Sequence, residues 1–270
     1  MIDLVADLLA CPHCPGHGSG LAVEGRSLRC PAGHSFDIAR QGYVNLLGHG
    51  SPRNADTAAM VAARERFLAT GAYAPIRAAL AERCAGAATV IEAGAGPGWY
   101  LAGALARPAA RGLACDVSVP AVRRAARADP RIGAIVADTW AGLPVLSGVA
   151  DRVLAVFAPR NMADFARILR PDGQVVVVVP GAEHLGSLRQ RFGLLDVEPH
   201  KGARLLRAAD GHLDAIDRTE LAFDLRLEPG QVADLIAMGP NAFHQATDSA
   251  QPPEPIDTRV AVEVWVFGRV

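Results

Sequence analysis

The sequence predicts an α/β fold, in which a mostly parallel sheet flanked by helices follows a small N-terminal module. From Thr89 onwards, short apolar segments alternate with amphipathic ones, which is the pattern of consecutive βαβ units. Some of the apolar segments, such as residues 175–179, are purely aliphatic, as expected for parallel strands covered on both faces. Residues 1–48, by contrast, contain three of the five cysteines and too few apolar residues for a core of their own. Such a segment needs a bound metal or another cross-link to fold.

The composition excludes several classes of protein. Of the 270 residues 50% are hydrophobic, and 27 Lys and Arg against 28 Asp and Glu give a formal net charge of −1. Disorder and polybasic nucleic-acid binding are therefore excluded, and any positive charge for a polyanion must be local. The odd number of cysteines favours a reducing, cytoplasmic setting over a secreted disulfide framework. No aliphatic run is long enough to span a membrane, and residues 1–10 lack the basic start of a signal peptide.

Three parts follow from the changes in composition: an N-terminal module at residues 1–48, a helical connector at 49–88 and an α/β domain at 89–270. The connector is rich in alanine and has apolar residues at helical spacing. Gly71 and Pro75 interrupt this pattern, so two helices are expected. A further short helix is expected in the apolar lead-in before the first cysteine.

Within the α/β domain, the pattern predicts five helices and seven strands. The predicted strands are 89–94, 111–116, 132–138, 151–157, 173–180, 219–227 and 258–267, and the predicted helices are 99–106, 119–129, 161–170, 183–192 and 231–238. The last two strands alternate polar and apolar residues. This alternation is typical of half-exposed antiparallel strands, so we expect them to close the sheet as an edge pair.

The cysteine spacing predicts a structural zinc site in the N-terminal module. The candidate ligands are Cys11, Cys14, Cys30 and His34. They form two short-spaced pairs, and their separation lets two tight turns of one hairpin face each other across one tetrahedral ion. His13 and His17 compete with His34 for the fourth position, although His13 lies between two ligands of one turn. A closed site of four protein ligands holds the fold and leaves no open position for catalysis.

A glycine-rich turn joins the first strand of the α/β domain to the first helix, at Glu92-Ala-Gly94-Ala-Gly96-Pro97-Gly98. Glycines allow a ligand to approach the backbone, and the free amides at a helix start suit acceptor groups. A dinucleotide fingerprint requires a third glycine at the position that Trp99 occupies, which disfavours nicotinamide and flavin cofactors.

Acidic residues at three successive strand ends complete the predicted cofactor site. Glu92 ends the first strand and Asp116 the second, an arrangement that resembles the S-adenosylmethionine methyltransferases. Asp116 is expected to accept hydrogen bonds from ribose hydroxyls, and Glu92 to act through the loop and the methionine amine. Asp138, after the third strand, is expected at the adenine amino group, unless it is a turn residue.

Two further contacts are expected near these acidic residues. Leu113 or Trp140 is expected to supply apolar contact with the adenine. Phe157, after the fourth strand, lies where such methyltransferases place the acceptor. Its ring could stack on a base, although an aromatic at a strand end is more often part of the core.

Most of the chain resembles the RlmA/TlrB family of 23S rRNA guanine-N1 methyltransferases. The motifs are CPHC with CPAGH, HSFDIARQGYVNLL at residues 34–47, the block from Asp56 to Tyr73, LRPDG at 169–173, Pro180 with His184-Leu185, and Met238-Gly239-Pro240. The family's usual D-x-G-C-G-E-G is E-A-G-A-G-P-G here, which keeps every glycine but lacks the cysteine and the acidic residue. This departure is expected to alter the stiffness of the loop.

The resemblance implies specific residues and partners. It implies zinc ligands at Cys11, Cys14, Cys30 and His34, and cofactor contacts at Tyr73, Gly96, Pro97 and His184. It also implies a homodimer whose zinc modules and catalytic domains form an RNA cleft. The GYVNLL, VAAR and FAPRN segments favour the macrolide-resistance (TlrB) side of the family, which modifies guanine-748, over the side that modifies guanine-745.

The expected activity is methyl transfer from S-adenosylmethionine to N1 of a guanine in a 23S rRNA hairpin loop. A catalytic base is not identifiable from the sequence. Arg40, Arg53, Arg64 and Arg66 are candidates for phosphate contacts. A small-molecule methyltransferase would leave the zinc module unexplained, and a non-catalytic zinc protein that binds RNA would leave the glycine turn and Asp116 unused.

Overall fold

The computed structural model describes residues 2–47, 55–195, 201–239 and 254–269. Its main feature is an eight-stranded sheet of order β10-β11-β9-β8-β5-β6-β7-β4. Its strands are β4 (Tyr43–Asn45), β5 (Thr89–Ala93), β6 (Arg111–Asp116), β7 (Ile132–Val136), β8 (Ala150–Val156), β9 (Leu169–Pro180), β10 (Leu213–Leu227) and β11 (Ile256–Arg269). The six strands from β9 to β4 are parallel, and β11 and β10 add antiparallel to β9. The predicted parallel sheet with an antiparallel closing pair is confirmed.

Eight α-helices accompany the sheet in the described residues. They are α1 (Ala58–Ala69), α2 (Ala74–Arg83), α3 (Trp99–Ala104), α4 (Val119–Ala128), α5 (Met162–Ile168), α6 (Gly186–Phe192), α7 (Lys201–Ala209) and α8 (Pro229–Ala237). Several begin at side-chain caps, because the first amides of a helix have no partner within it. Thr57 caps α1, Ser118 caps α4, and Glu228 forms a capping box with Gln231 in α8.

The two faces of the sheet carry separate cores. Helices α1 to α4, α6 and α8 pack on one face, which we call the helical face. The other face, the ribbon face, is covered by the N-terminal residues, the cysteine-containing segment, α5 and α7. The central parallel strands, β5 to β8 and the second half of β9, are largely buried on both sides, which explains their continuous apolar sequence.

The cysteine-containing segment forms its own small antiparallel sheet. Strands β1 (Ala22–Glu24), β2 (Ser27–Arg29) and β3 (Ser35–Asp37) pair in chain order. The chain then enters the main sheet as β4, which pairs in parallel with β7, Tyr43 opposite Ala134. The N-terminal segment is therefore hydrogen-bonded into the edge of the α/β sheet. The division into a module, a connector and a domain stays a prediction.

Some local expectations differ from the structure. The predicted N-terminal helix consists of two 3-10 turns, Ile2–Leu4 and Ala6–Leu8. The sequence pattern did not predict β4 or α7, and β10 begins at Leu213, six residues earlier than expected. In the part of the chain that the structure describes, no helix is long and apolar enough to cross a bilayer.

Candidate metal centre and cofactor site

Four side chains of the N-terminal segment converge on one point. The thiol sulfurs of Cys11, Cys14 and Cys30 and an imidazole nitrogen of His34 all lie within 4.8 Å of one another. Nδ1 of His34 is 3.3 Å from Cys30 Sγ and 3.5 Å from the sulfurs of Cys11 and Cys14, and Cys14 Sγ is 3.8 Å from Cys30 Sγ. A tetrahedral zinc ion with ordinary bond lengths separates two sulfurs by about 3.8 Å, and a sulfur from a nitrogen by about 3.5 Å. The residues therefore fit zinc.

The two competing histidines lie outside this cluster. The His13 ring stacks on Phe36, with centroids 5.4 Å apart, and meets the His34 ring edge-on at 5.3 Å. His17 lies near Asp164 and Arg167, on the side of α5, and burial lowers its pKa. The structure thus gathers His34 with the three cysteines and keeps His13 as a packing neighbour.

The backbone conformation and the close neighbours of the turn after β5 explain why glycine occupies three of its positions. All three have positive φ angles, from +53° to +78°, which favour glycine. A Cβ on Gly94 would lie 2.6 Å from the Cβ of Ala158, and a Cβ on Gly98 would lie 3.1 Å from Cα of Ala125 in α4. At Gly96 the nearest atom would be Nη1 of Arg64, at 3.4 Å. Close packing around its backbone therefore gives the turn a defined shape, which we call the glycine cradle.

The two carboxylates at the strand ends hold this turn in place. The buried Glu92 side chain accepts a hydrogen bond from the amide of Leu101, at 3.0 Å, in the first turn of α3. The Asp116 carboxylate accepts from the amides of Gly96 and Ser118, both at 2.8 Å. Burial raises the pKa of Glu92 well above its usual value, and burial also raises that of Asp116 against the effect of its two amide donors. Glu92 thus anchors the first turn of α3, which follows the glycine turn; its expected action through the loop and on the methionine amine stays a prediction.

The residues expected at the adenine have different environments. Asp138 accepts a hydrogen bond from the amide of Trp140, at 2.9 Å, so this carboxylate serves a turn. The Trp140 side chain is exposed and available for contact. Leu113 is fully buried in the core of the ribbon face, so the expectation that it contacts adenine is wrong. The role of Asp138 at the adenine amino group stays a prediction.

Three aromatic rings meet beyond the carboxyl end of β8. The ring centroid of Phe157 is 5.7 Å from that of His184 and 6.2 Å from that of Tyr73, and the last two are 6.4 Å apart. Tyr73 and His184 are buried, whereas 40% of Phe157 is exposed. Phe157 has a φ of +52°, a left-handed conformation that is costly for a bulky residue and concentrates at functional sites. The cluster thus offers one exposed ring supported by two buried ones.

The protonation of His184 follows from its surroundings. Burial lowers its pKa to about 4, so the ring is neutral at pH 7. Its Nδ1 accepts a hydrogen bond from the amide of Ala261, at 3.4 Å. This bond assigns the ring proton to Nε2. His184 is therefore a hydrogen-bond donor towards any ligand at that nitrogen.

The four arginines expected to contact phosphate have unlike environments. Arg40 is exposed, and Arg53 lies outside the described residues. Arg66 forms an ion pair with Asp234 of α8, with 2.5 Å between Nη2 and Oδ1, and so connects two helices. Arg64 points inwards. Of the three that the structure describes, Arg40 and Arg66 are thus exposed, and Arg66 is already paired with a carboxylate.

Arg64 borders the glycine turn. Its guanidinium pairs with Asp56 and donates from Nη2 to the carbonyl of Met238, at 2.6 Å. It also lies where a side chain at Gly96 would point. The sequence pattern did not reveal this, because the ends of these contacts are up to 174 residues apart. The strained backbone at Phe157 likewise has no local sequence signal.

Comparison with known proteins gives matches that agree with one another. Residues 9–49 match the model of the RlmA N-terminal zinc ribbon. A protein of Micromonospora griseorubida, provisionally named a 23S rRNA (guanine-N1)-methyltransferase, is 48% identical over 268 residues, covering 91% of this chain and 90% of its own length. The 23S rRNA (guanine(748)-N(1))-methyltransferase of Streptomyces fradiae is 45% identical over 251 residues, covering 90% of this chain and 89% of its own.

A solved structure agrees at the level of the fold. It is one chain of a complex between the Haloferax volcanii Trm112 methyltransferase activator and a provisionally named methyltransferase, with a TM-score of 0.53 and 17% identity, covering 81% of this chain and 99% of that chain. At this identity the match shows the fold alone. The two relatives, by contrast, are similar over nearly their entire lengths. The chain therefore belongs to the RlmA/TlrB family of 23S rRNA (guanine-N1)-methyltransferases.

Proposed function

We propose that this protein transfers a methyl group from S-adenosylmethionine to N1 of a guanine in a 23S rRNA hairpin loop, with guanine-748 as the target. One observation carries the proposal: a chain with both a ribbon-type metal cluster and a glycine cradle is 45% identical, over 90% of its length, to the Streptomyces fradiae enzyme. That similarity supports guanine-748 over guanine-745. It also argues against the small-molecule and non-catalytic alternatives, neither of which uses both sites.

The residues around the glycine turn fit the cofactor. Asp116 keeps free lone pairs for ribose hydroxyls, since each of its oxygens accepts one amide hydrogen bond. Gly96 and Pro97 would lie against the methionine portion, and Arg64 would face its carboxylate. The buried Glu92 would hold the turn from beneath. S-adenosylmethionine supplies an electrophilic methyl group, so the protein mainly positions the two reactants.

The aromatic cluster fits the acceptor base. A base in a loop is unpaired and can be turned out and stacked on an aromatic ring. Phe157 presents the exposed ring, beside the glycine turn through its neighbour Ala158. Tyr73 and His184 would contact the cofactor from behind, with His184 donating from Nε2.

The zinc ribbon would act in recognition and not in chemistry. Its four ligands close the coordination sphere of a structural ion, so no position is left for a substrate. The proposal includes the homodimer that the family resemblance implies, in which two ribbons flank one RNA cleft. Sedimentation of the purified protein at several concentrations tests this part by itself.

Reverse transcription of 23S rRNA tests the activity, because methylation at guanine N1 blocks Watson–Crick pairing. Cells that express the wild-type gene are expected to show a strong stop at guanine-748. Cells with the Asp116→Ala variant are expected to show none, since the ribose contact is lost. A stop at guanine-745 would make the target assignment wrong, and the absence of any stop in that hairpin would overturn the proposed activity.

A further inference from the structure

An open groove of about 660 Å³ lies on the helical face, beside the glycine turn. Residues of α1, α2, α3 and α4 form its walls, and Pro97 of the turn lies in its lining. Gln41, from the segment between β3 and β4, brings the N-terminal segment to its rim. The charged and aromatic lining residues are Glu65, Arg77, Trp99, Arg123, Arg124 and Arg127. We call this surface the arginine groove.

The arginine groove concentrates positive charge in an otherwise neutral chain. Four arginines and one glutamate line it, whereas the whole protein has a formal net charge of −1. Glu65 neutralises only Arg124, with which it forms an ion pair. Arg123 and Arg127 are exposed and have no carboxylate partner among the residues that the structure describes. Like charges four residues apart disfavour a helix, so this pair does not serve the stability of α4.

One arginine of the groove is held in place by packing. The guanidinium of Arg77 lies 4.7 Å from the centre of the Trp99 ring. Its side chain occupies the space above Gly103, where a Cβ would come within 2.2 Å of its Nε. That Nε is buried and has no hydrogen-bond partner in the described part of the chain. Packing against Trp99 and Gly103 therefore holds the Arg77 side chain in place in the lining of the groove.

The arginine groove adjoins the cofactor site. Glu65 follows directly after Arg64 in α1, and Arg64 lies against Gly96. Trp99 begins α3 at the end of the glycine turn. Helix α1 and the glycine turn therefore border both the groove and the proposed cofactor site.

We propose that the arginine groove binds phosphates of the rRNA hairpin that presents the target guanine, an inference that rests on the proposed function. Planar guanidinium groups bind phosphates through paired hydrogen bonds. A second copy of this chain is disfavoured as the occupant, because arginine grooves brought together would repel each other. The groove also accounts for RNA binding by a neutral chain, since the positive charge is local.

Fluorescence anisotropy with a labelled hairpin of 23S rRNA, over a series of salt concentrations, tests this proposal. The double variant R123A/R127A is expected to bind the hairpin about 10- to 100-fold more weakly near 0.1 M salt. The slope of log affinity against log salt should fall by about 1 to 2, as expected when two phosphate contacts are lost. The affinity for S-adenosylmethionine and the unfolding midpoint are expected to stay as in the wild type.

Two control variants make the result specific. R207A removes an exposed arginine from α7, on the ribbon face, and should leave hairpin binding unchanged. R123K/R127K keeps both charges but not the paired hydrogen bonds, so it should keep the salt slope of the wild type and recover only part of the affinity lost in R123A/R127A. Unchanged affinity and salt slope in R123A/R127A would overturn the proposal, and so would a change in oligomeric state with hairpin binding intact.

The test separates this inference from the proposed function. If the variant loses hairpin affinity while the wild type gives no reverse-transcription stop, the groove proposal is supported and the activity is wrong. If the wild type gives the stop and the variant binds and methylates as well as the wild type, the activity stands and the groove proposal is overturned.

Discussion

The two sites of this protein are held together in different ways. In the ribbon, four polar side chains from two local turns converge at distances that match the ligands of one tetrahedral ion. In the glycine turn, the shape comes from the backbone conformation and from contacts with residues distant in the chain, such as Ala158 and those of α4. The ribbon therefore depends on a bound ion to hold its turns together, whereas packing within the chain shapes the glycine cradle.

Removing one metal ligand is the strongest test of this difference between the ribbon and the glycine turn. Cys14→Ser is expected to abolish stoichiometric zinc binding, since the site loses a thiolate, and to lower RNA methylation by at least about tenfold. Cofactor affinity should stay within about threefold of the wild type, because the cradle lies on a different core. Metal analysis, calorimetry with S-adenosylmethionine and methylation of the hairpin measure the three quantities.

His13→Ala is the matched control for that variant. Its ring contacts His34 but lies outside the ligand set, so zinc should stay bound at one ion per chain. Equal loss of methylation and cofactor binding in Cys14→Ser would contradict the comparison, because the ribbon would then support the whole fold.

Gly94→Ala tests the cradle. The new methyl group would meet the Cβ of Ala158 at 2.6 Å in a left-handed backbone, so we expect a loss of about 3–5 kcal/mol in the free energy of unfolding and greatly weakened cofactor binding. Gly148→Ala is the control, since Gly148 has a similar φ of +68° but open space around it. It should cost only about 1–2 kcal/mol and leave the cofactor affinity unchanged. Equal losses in urea unfolding would show that backbone strain alone, and not close packing, shapes the turn.

The buried His184 makes the free energy of unfolding depend on pH. Its pKa is about 4 in the folded protein and near 6.5 in the unfolded chain, so the unfolded state binds more protons between these values. Its contribution to stability is present above pH 6.5 and is lost as the pH falls to 4, by about 3 kcal/mol. In His184→Asn, whose side-chain oxygen can accept from the Ala261 amide, this part of the pH dependence should disappear. Identical curves of unfolding free energy against pH for the two proteins would refute the assignment.

Local spacing explains what the sequence alone predicted well. Paired cysteines, a glycine turn between a strand and a helix, and acidic residues at strand ends all depend on neighbours within a few residues. The parallel sheet and its antiparallel closing pair follow from periodicity in the same way. Asp116 and Glu92 meet the turn because parallel strands end at one edge of a sheet.

The features that escaped prediction arise where distant segments meet. Leu113 faces the core because a parallel strand is buried on both sides, so its position near Asp116 does not bring it to the cofactor. Arg64 faces the glycine turn because Asp56 and Met238 converge on it, and nothing in an alanine-rich helix distinguishes it from Arg66. The arginine groove likewise combines residues of four helices, so its charges are separated in the sequence.

Strand β4 limits how freely the ribbon can be exchanged between enzymes. It is only three residues long, yet it occupies the edge of the main sheet beside β7. The segment that matches the ribbon model, residues 9–49, includes this strand. A graft that replaced the ribbon would also replace part of the host's sheet, and an incoming ribbon would have to match the register of Tyr43 with Ala134. A grafted ribbon would therefore have to bring its own β4 strand.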